Sequence, residues 1–193
     1  MGRVRLLRWL ELALAIGIWA LFLTAVANLP PPPRPVAPAT YSDAMPPVDQ
    51  PAPPDPKTVI DLAADRRGLP RTLVEATAYW ESGWDQGRVS DTGAVGLMQI
   101  QPEVAADLAP RLVGHPVDLQ DPAQNADLGA AILRAYIDDQ GGDVDAGLAA
   151  YYEGPGELAQ NGYAYDTADY IAGVKALRGM LDRGEPLPPP QSP

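Results

Sequence analysis

The sequence predicts an all-α fold, on three observations. Helix-start and helix-stop residues divide the middle of the chain into segments of helical length, and apolar residues within them recur at three- and four-residue spacing. No segment alternates apolar and polar residues for long enough to argue for a strand. Residues 58–67 and 71–81 read as two short helices. They are separated at Gly68-Leu69-Pro70, where glycine ends one helix and proline opens the next. Residues 122–140 carry apolar positions at Ala126, Gly129, Leu133 and Ile137 and also at Leu128, Ile132 and Tyr136, which predicts a wide buried face. Residues 145–152 form a short apolar segment. Tyr170, Val174, Leu177 and Leu181 give the last helix one core-facing stripe.

The ends do not look globular. Arg3, Arg5 and Arg8 precede an apolar run from Leu12 to Leu29, interrupted only by Gly17, Thr24 and Asn28. As a helix this run spans about 27 Å, close to the roughly 30 Å hydrocarbon core of a bilayer. The arginines hold its N-terminus in the cytoplasm and place the rest of the chain outside. Its length favours a retained membrane anchor over residues 1–29. Ala25-Val26-Ala27 also fits a signal-peptidase site, and cleavage after Ala27 would release a secreted protein.

Residues 30–56 contain 12 prolines among 27 residues, too many missing donors and fixed φ angles for helix or sheet. They read as a disordered linker of polyproline II character, able to reach up to roughly 80 Å. Residues 57–183 remain as one globular domain, and residues 184–193 read as a disordered tail.

Composition narrows the chemistry. The chain of 193 residues has no cysteine, which excludes a disulfide framework, a thiol nucleophile and a zinc–cysteine site. The single histidine, His115, has no second imidazole with which to share a metal, and no metal or cofactor is expected. Residues 57–185 carry 10 basic and 21 acidic side chains, so the whole formal charge of -11 lies in the predicted domain and the first residues of the tail. Nucleic acid is therefore not an expected partner. An anionic substrate would be repelled over a Debye length of roughly 8 Å and must be held by short-range contacts.

Glu81 is the acid whose surroundings stand out. It closes the apolar stretch Ala76-Thr77-Ala78-Tyr79-Trp80 and precedes Ser82-Gly83-Trp84. A carboxyl group among aromatic and apolar side chains loses hydration of its charged form, so its pKa rises and it can donate a proton near neutral pH. An ordinary exposed glutamate at a helix C-terminus would read much the same from this feature alone.

Four motifs widen the context: Glu81-Ser82-Gly83-Trp84, then Ser90 to Gln99 (Ser-Asp-Thr-Gly-Ala-Val-Gly-Leu-Met-Gln), then Ala149 to Gly156 (Ala-Ala-Tyr-Tyr-Glu-Gly-Pro-Gly), then Asp166-Thr167-Ala168-Asp169-Tyr170-Ile171. In order and spacing they closely resemble the soluble lytic transglycosylase family, across about 90 residues. The resemblance implies a lysozyme-like all-α domain with a groove for a peptidoglycan glycan strand, and it assigns Glu81 as the single catalytic acid and base. In that family one carboxyl group protonates the bond between N-acetylmuramic acid and N-acetylglucosamine. It then takes the proton of the muramic carbon-6 hydroxyl, leaving a 1,6-anhydro sugar.

The resemblance also implies substrate-binding roles. Ser90 and Gln99 match polar groove positions, and Gly93 and Gly96 match tight turns that let a sugar ring approach. Tyr151 matches a tyrosine that orients the acid, and Tyr170 matches the tyrosine of the closing helix, where a plain core role on its apolar stripe reads equally well. Met98 reads as core. The chain departs from the family at Tyr152 and Glu153, where asparagine and alanine are usual, and at Gln101, where methionine is usual. A phenol at Tyr152 can still hydrogen-bond or stack on a sugar. A carboxylate at Glu153 set roughly 6.5 to 9.5 Å from Glu81 would activate water and make the domain an inverting hydrolase, whereas a solvated first-turn acid would do nothing of the kind. Two alternatives therefore stand beside transglycosylation: a lysozyme-type hydrolase, and a wall-binding module without catalysis. All three act outside the cytoplasm.

Overall fold

The computed structural model describes residues 54–190, so the N-terminal apolar run and most of the proline-rich linker lie outside the described residues. Among the described residues no helix is long and apolar enough to cross a membrane. Seven helices follow one another there: α1 (Pro56–Arg67), α2 (Arg71–Ser82), α3 (Pro102–Leu112), α4 (Pro122–Asp139), α5 (Val144–Glu153), α6 (Pro155–Asn161) and α7 (Thr167–Asp182). The only pairing of extended backbone among these residues is two isolated antiparallel bridges, Val89 with Val95 and Val95 with Ile100.

Local chemistry sets the helix ends. Asp55 caps α1, its carboxylate accepting from the Thr58 amide at 3.1 Å, and Pro56 fills the first turn, where its missing N–H costs nothing. The helix thus begins inside the last residues assigned to the linker. Gly68 ends it in the left-handed region at φ 65°, with its N–H donating to the Ala64 and Asp65 carbonyls. Asp121 and Asp143 cap α4 and α5 in the same way as Asp55.

Helices α3 and α6 go beyond the sequence expectation. Pro102 and Pro155 each sit in the first turn of a helix, where the missing N–H costs nothing. Pro110 removes one intrahelical donor in the last turn of α3, close to where the helix stops, and the spacing of Val104, Ala105, Leu108 and Ala109 supplies the apolar face.

Helix α4 is the axis of the core. Ala126, Leu128, Ala130, Ile132, Leu133 and Ile137 are all buried, which accounts for the wide apolar face, and α4 packs against α1, α3 and α5. Arg67 clamps α1 to α4 through two hydrogen bonds to Asp127, at 2.9 and 2.5 Å. Helix α2 lies between α1 and α7, and its buried Leu73, Val74 and Ala78 join Val174 and Leu177 of α7. Burial of each leucine here stabilises the fold by about 1.5–3 kcal/mol. The consequence for chemistry is positional: the C-terminal end of α2 is held rigidly against α7.

The C-terminal segment beyond α7, which the sequence suggests is a disordered tail, is described as far as Pro190. Leu187 packs against the core, and the Tyr79 hydroxyl donates to the Pro188 carbonyl.

Candidate active site

Glu81 occupies the last turn of α2, just before Gly83 ends the helix at φ 69° and donates its N–H to the Tyr79 carbonyl at 2.8 Å. Ser82, buried beside it, donates its hydroxyl to the carbonyls of Ala78 and Leu97, at 3.2 and 2.9 Å, and so ties the helix end to the following loop. Trp84 adopts a positive φ of 66°. Its indole N–H donates to the Glu75 carbonyl at 2.9 Å, and it meets the Tyr79 ring edge-on at 5.1 Å. These contacts fix the backbone on either side of the acid.

The carboxyl group of Glu81 accepts a hydrogen bond from Tyr170 of α7 at 2.8 Å. Burial pushes its pKa up to about 7; the Tyr170 hydrogen bond and the Arg88 charge pull the other way without cancelling that effect. Tyr170 is itself buried. Trp80 lies edge-on to its ring at 6.0 Å, and Tyr152 stacks on it at 4.5 Å with 25° between the planes. Burial and the Glu81 charge hold the Tyr170 phenol well above its ordinary range, so it remains a donor to the carboxylate.

A groove of about 370 Å³ opens over Glu81. Ser90, Gln99, Gln101, Tyr136, Tyr151, Tyr152 and Glu153 contribute to its walls. The loop between α2 and α3 builds one side. Ser90 makes its turn, the hydroxyl accepting from the Ala94 amide at 2.9 Å and pairing with Thr92 at 3.0 Å. Gln99 stands at a positive φ of 46°, and its amide nitrogen donates to the carbonyls of Arg88 and Gly96, at 3.2 and 3.0 Å. Both amide hydrogens therefore hold the loop, and the side chain offers the groove an acceptor.

Gly96 is buried and is not part of the groove wall. Its φ is 79°, and a Cβ there would overlap the side chains of Asn125 and Gln86. The sugar approach expected at this glycine is replaced by packing against α4. Asn125, fully buried in the first turn of α4, accepts from the Met98 amide at 3.0 Å and donates to the Val95 and Leu119 carbonyls at 2.9 and 3.0 Å. Gln86 adds a bond to the Leu119 carbonyl at 2.9 Å. Neither residue belongs to the sequence-predicted site. The one sequence signal for Asn125 is an uncharged polar residue at the start of an apolar helical run. Met98 is buried in the core, as expected.

The phenols divide the work differently from the expectation. Tyr151 lines the groove but donates to the Met98 carbonyl at 2.9 Å, so it braces the loop, and Tyr170 is the hydroxyl that reaches Glu81. Tyr152, 41% exposed, presents its ring to the groove and donates its hydroxyl to Asp166 at 2.5 Å, which pushes its own pKa up to about 12. Glu153, the second acid of the groove, is engaged elsewhere. Its Oε1 accepts from the Ala164 amide at 2.6 Å and from the Thr167 hydroxyl, so it braces the approach to α7.

A family model, the transglycosylase SLT domain, matches residues 58–172, a span that contains every residue of this groove. The chain belongs to the transglycosylase SLT domain family. The SLT domain is 36% identical over 95 residues to a transglycosylase of Enterobacteria phage PRD1, a match that covers 49% of this chain and 33% of that one. It is 32% identical over 121 residues to the soluble lytic murein transglycosylase of Escherichia coli K12, covering 60% of this chain and 19% of the relative. The chain thus spans a third or less of these relatives.

Among solved structures, an inactive mutant of a lytic transglycosylase from Pseudomonas aeruginosa superposes with a TM-score of 0.58 at 24% identity, covering 70% of this chain and 25% of that one. The 70 kDa soluble lytic transglycosylase in complex with bulgecin A gives a TM-score of 0.59 at 23% identity, with the same coverage. These likenesses establish the fold: the SLT domain is all-helical and lysozyme-like.

Proposed function

We propose that this SLT domain cleaves peptidoglycan glycan strands between N-acetylmuramic acid and N-acetylglucosamine by intramolecular transglycosylation, with Glu81 as its only acid and base. One observation carries the reading. Of the two carboxyl groups in the groove wall, that of Glu81 is partly buried, raised to about pKa 7 and tied to Tyr170, while that of Glu153 accepts from Ala164 and Thr167 at its Oε1.

The chemistry balances without a second acid. Protonated Glu81 gives its proton to the glycosidic oxygen as the bond from muramic carbon 1 to that oxygen breaks. The carboxylate that remains is stabilised by the Tyr170 hydroxyl. It then takes the proton from the carbon-6 hydroxyl of the same muramic residue while that oxygen bonds to carbon 1. Glu81 ends protonated, ready for another cycle, and no water is consumed. A hydrolase of the inverting kind needs a free carboxylate to activate water, and a retaining one needs a nucleophile about 5–5.5 Å from the acid.

Ser90, Gln99, Tyr151 and Tyr152 would meet the glycan. The acceptor of Gln99 suits sugar hydroxyl and acetamido N–H groups, and the exposed Tyr152 ring suits stacking on a pyranose face. The catalytic unit would correspond to residues 57–183, held outside the cytoplasmic membrane by residues 1–29 or freed by cleavage after Ala27, with residues 30–56 as spacer.

The substitution Glu81→Gln tests this reading, because the amide keeps the shape and loses the transferable proton. Turnover of purified peptidoglycan should fall by at least about 10²- to 10⁴-fold with glycan binding kept within a few-fold. A variant with more than about a tenth of the original activity would remove Glu81 from the role.

A further inference from the structure

A second groove, of about 190 Å³, lies behind the acid and has no part in the chemistry above. Tyr79 and Trp80 of α2 form one wall, Gly173, Ala176, Leu177 and Met180 of α7 another, and Pro188, Pro189 and Pro190 close it. The proline segment is held there by a polar contact as well as by apolar fit. The Tyr79 hydroxyl donates to the Pro188 carbonyl, Leu187 packs on the core, and Pro190 sits against Gly83, where any Cβ would overlap it. Gly173 serves the same end on α7, since a side chain there would displace the Trp80 ring.

These are the elements by which proteins recognise polyproline II. Consecutive prolines arrive in a preformed extended helix that loses little entropy on docking. Their rings fill slots between aromatic side chains, and their carbonyls, which have no internal partner, accept from aromatic donors. From this arrangement we infer that the Tyr79–Trp80 face is a polyproline-binding site. Its ligand is a segment of the Leu-Pro-Pro-Pro type on another polypeptide, and the chain's own residues 187–190 occupy it in cis. The tail is then an exchangeable ligand and not a fixed part of the fold. Trp80 also meets Tyr170 edge-on, so the site abuts the aromatic cluster around Glu81, but the inference does not rest on any role for that acid.

The test is calorimetric titration of a synthetic peptide of residues 185–193 into three forms: the full chain, a chain ending after Gly184, and the full-length triple variant Pro188→Ser, Pro189→Ser, Pro190→Ser. The two forms without a cis ligand should bind the peptide with a Kd tighter than about 1 mM. The full chain should bind it about tenfold more weakly, because its tail competes at an effective concentration in the millimolar range. Adding Tyr79→Phe to the shortened chain should weaken binding several-fold, and a peptide with the three consecutive prolines replaced by alanine should not bind. Absence of saturable binding to either folded variant, equal binding to the full chain, or equal binding of the alanine peptide would overturn the proposal. Loss of helical circular dichroism in both variants would overturn it too, since the segment would then be a structural strap.

Discussion

Tyr170 and Glu81, 89 residues apart in sequence, share a hydrogen bond of 2.8 Å between the phenol and the carboxyl group. This bond favours the charged carboxylate and therefore lowers the acid's pKa, against burial, which raises it. Tyr170→Phe removes the lowering influence and keeps the ring between Trp80 and Tyr152. The alkaline limb of the kcat profile should move upward from about pH 7, while kcat falls roughly 10- to 100-fold because the carboxylate loses its donor in the second step. A pH profile of the variant decides this, and an unshifted limb would show that the bond does not tune the acid.

A raised acid has a cost in stability with a definite sign. The Glu81 carboxyl ionises near 7 in the folded chain and near 4.5 when unfolded, so the folded state binds more protons between those values. The contribution of Glu81 to stability is full below about pH 4.5 and is lost as pH rises through about 7. The gap corresponds to about 2–4 kcal/mol. Urea denaturation should show Glu81→Gln more stable than the original chain at pH 8.5, with the advantage gone at pH 4.5. A constant difference across that range would mean that Glu81 titrates normally.

Asn125 holds the groove loop from the side of α4, with one bond accepted and two donated. Asn125→Ala leaves the Met98 amide unpaired in a buried place, and the Val95 carbonyl with the Ile100 amide alone, and should destabilise the domain by about 1–3 kcal/mol. Because the same loop carries Gln99, activity at low temperature, where the variant stays folded, should fall mainly through a higher KM. A Tm within about 2 °C of the original would show that water or the backbone replaces these bonds.

The Tyr152 ring covers Tyr170 while its hydroxyl reaches Asp166. Tyr152→Phe keeps the stack and should change kcat by only a few-fold. Tyr152→Ala opens Tyr170 and Glu81 to water, which should lower the acid's pKa and shift the alkaline limb to lower pH, with kcat reduced by about tenfold or more. Equal effects of the two substitutions would place the importance of Tyr152 in its hydroxyl.

Much of the scaffold is legible in the sequence because its signals are local. Gly68-Leu69-Pro70 marks the turn between α1 and α2, the stripe from Tyr170 to Leu181 marks α7, and the wide apolar pattern marks α4 as central. Helices α3 and α6 escape because proline is ambiguous: the residue that breaks a helix also opens one. Glu81, Ser90, Gln99, Tyr151 and Tyr152, singled out in the sequence, share one groove wall, but Gly96 does not, and the contacts among them are not legible there. Both Tyr151 and Tyr170 lie in recognisable motifs, but which phenol faces Glu81 depends on how α7 packs against α2 and against α5, and no local pattern encodes that packing. The same holds for Glu153, whose part in bracing the start of α7 depends on a loop that folds back eleven residues later.

The central claim is that Glu81 alone serves the reaction and that the acceptor is the sugar itself. Mass spectrometry of the muropeptides released from purified peptidoglycan by the original chain and by Glu153→Gln tests it most directly. Closure on a tethered hydroxyl draws on an effective molarity that reaches about 10⁵–10⁸ M for well-oriented groups, so no second base is needed. Both forms should release products lighter by one water than those of a hydrolytic lysozyme, at rates within a few-fold of each other. Hydrated products from the original chain, with activity collapsing in Glu153→Gln, would contradict the account and make Glu153 the base of a hydrolase.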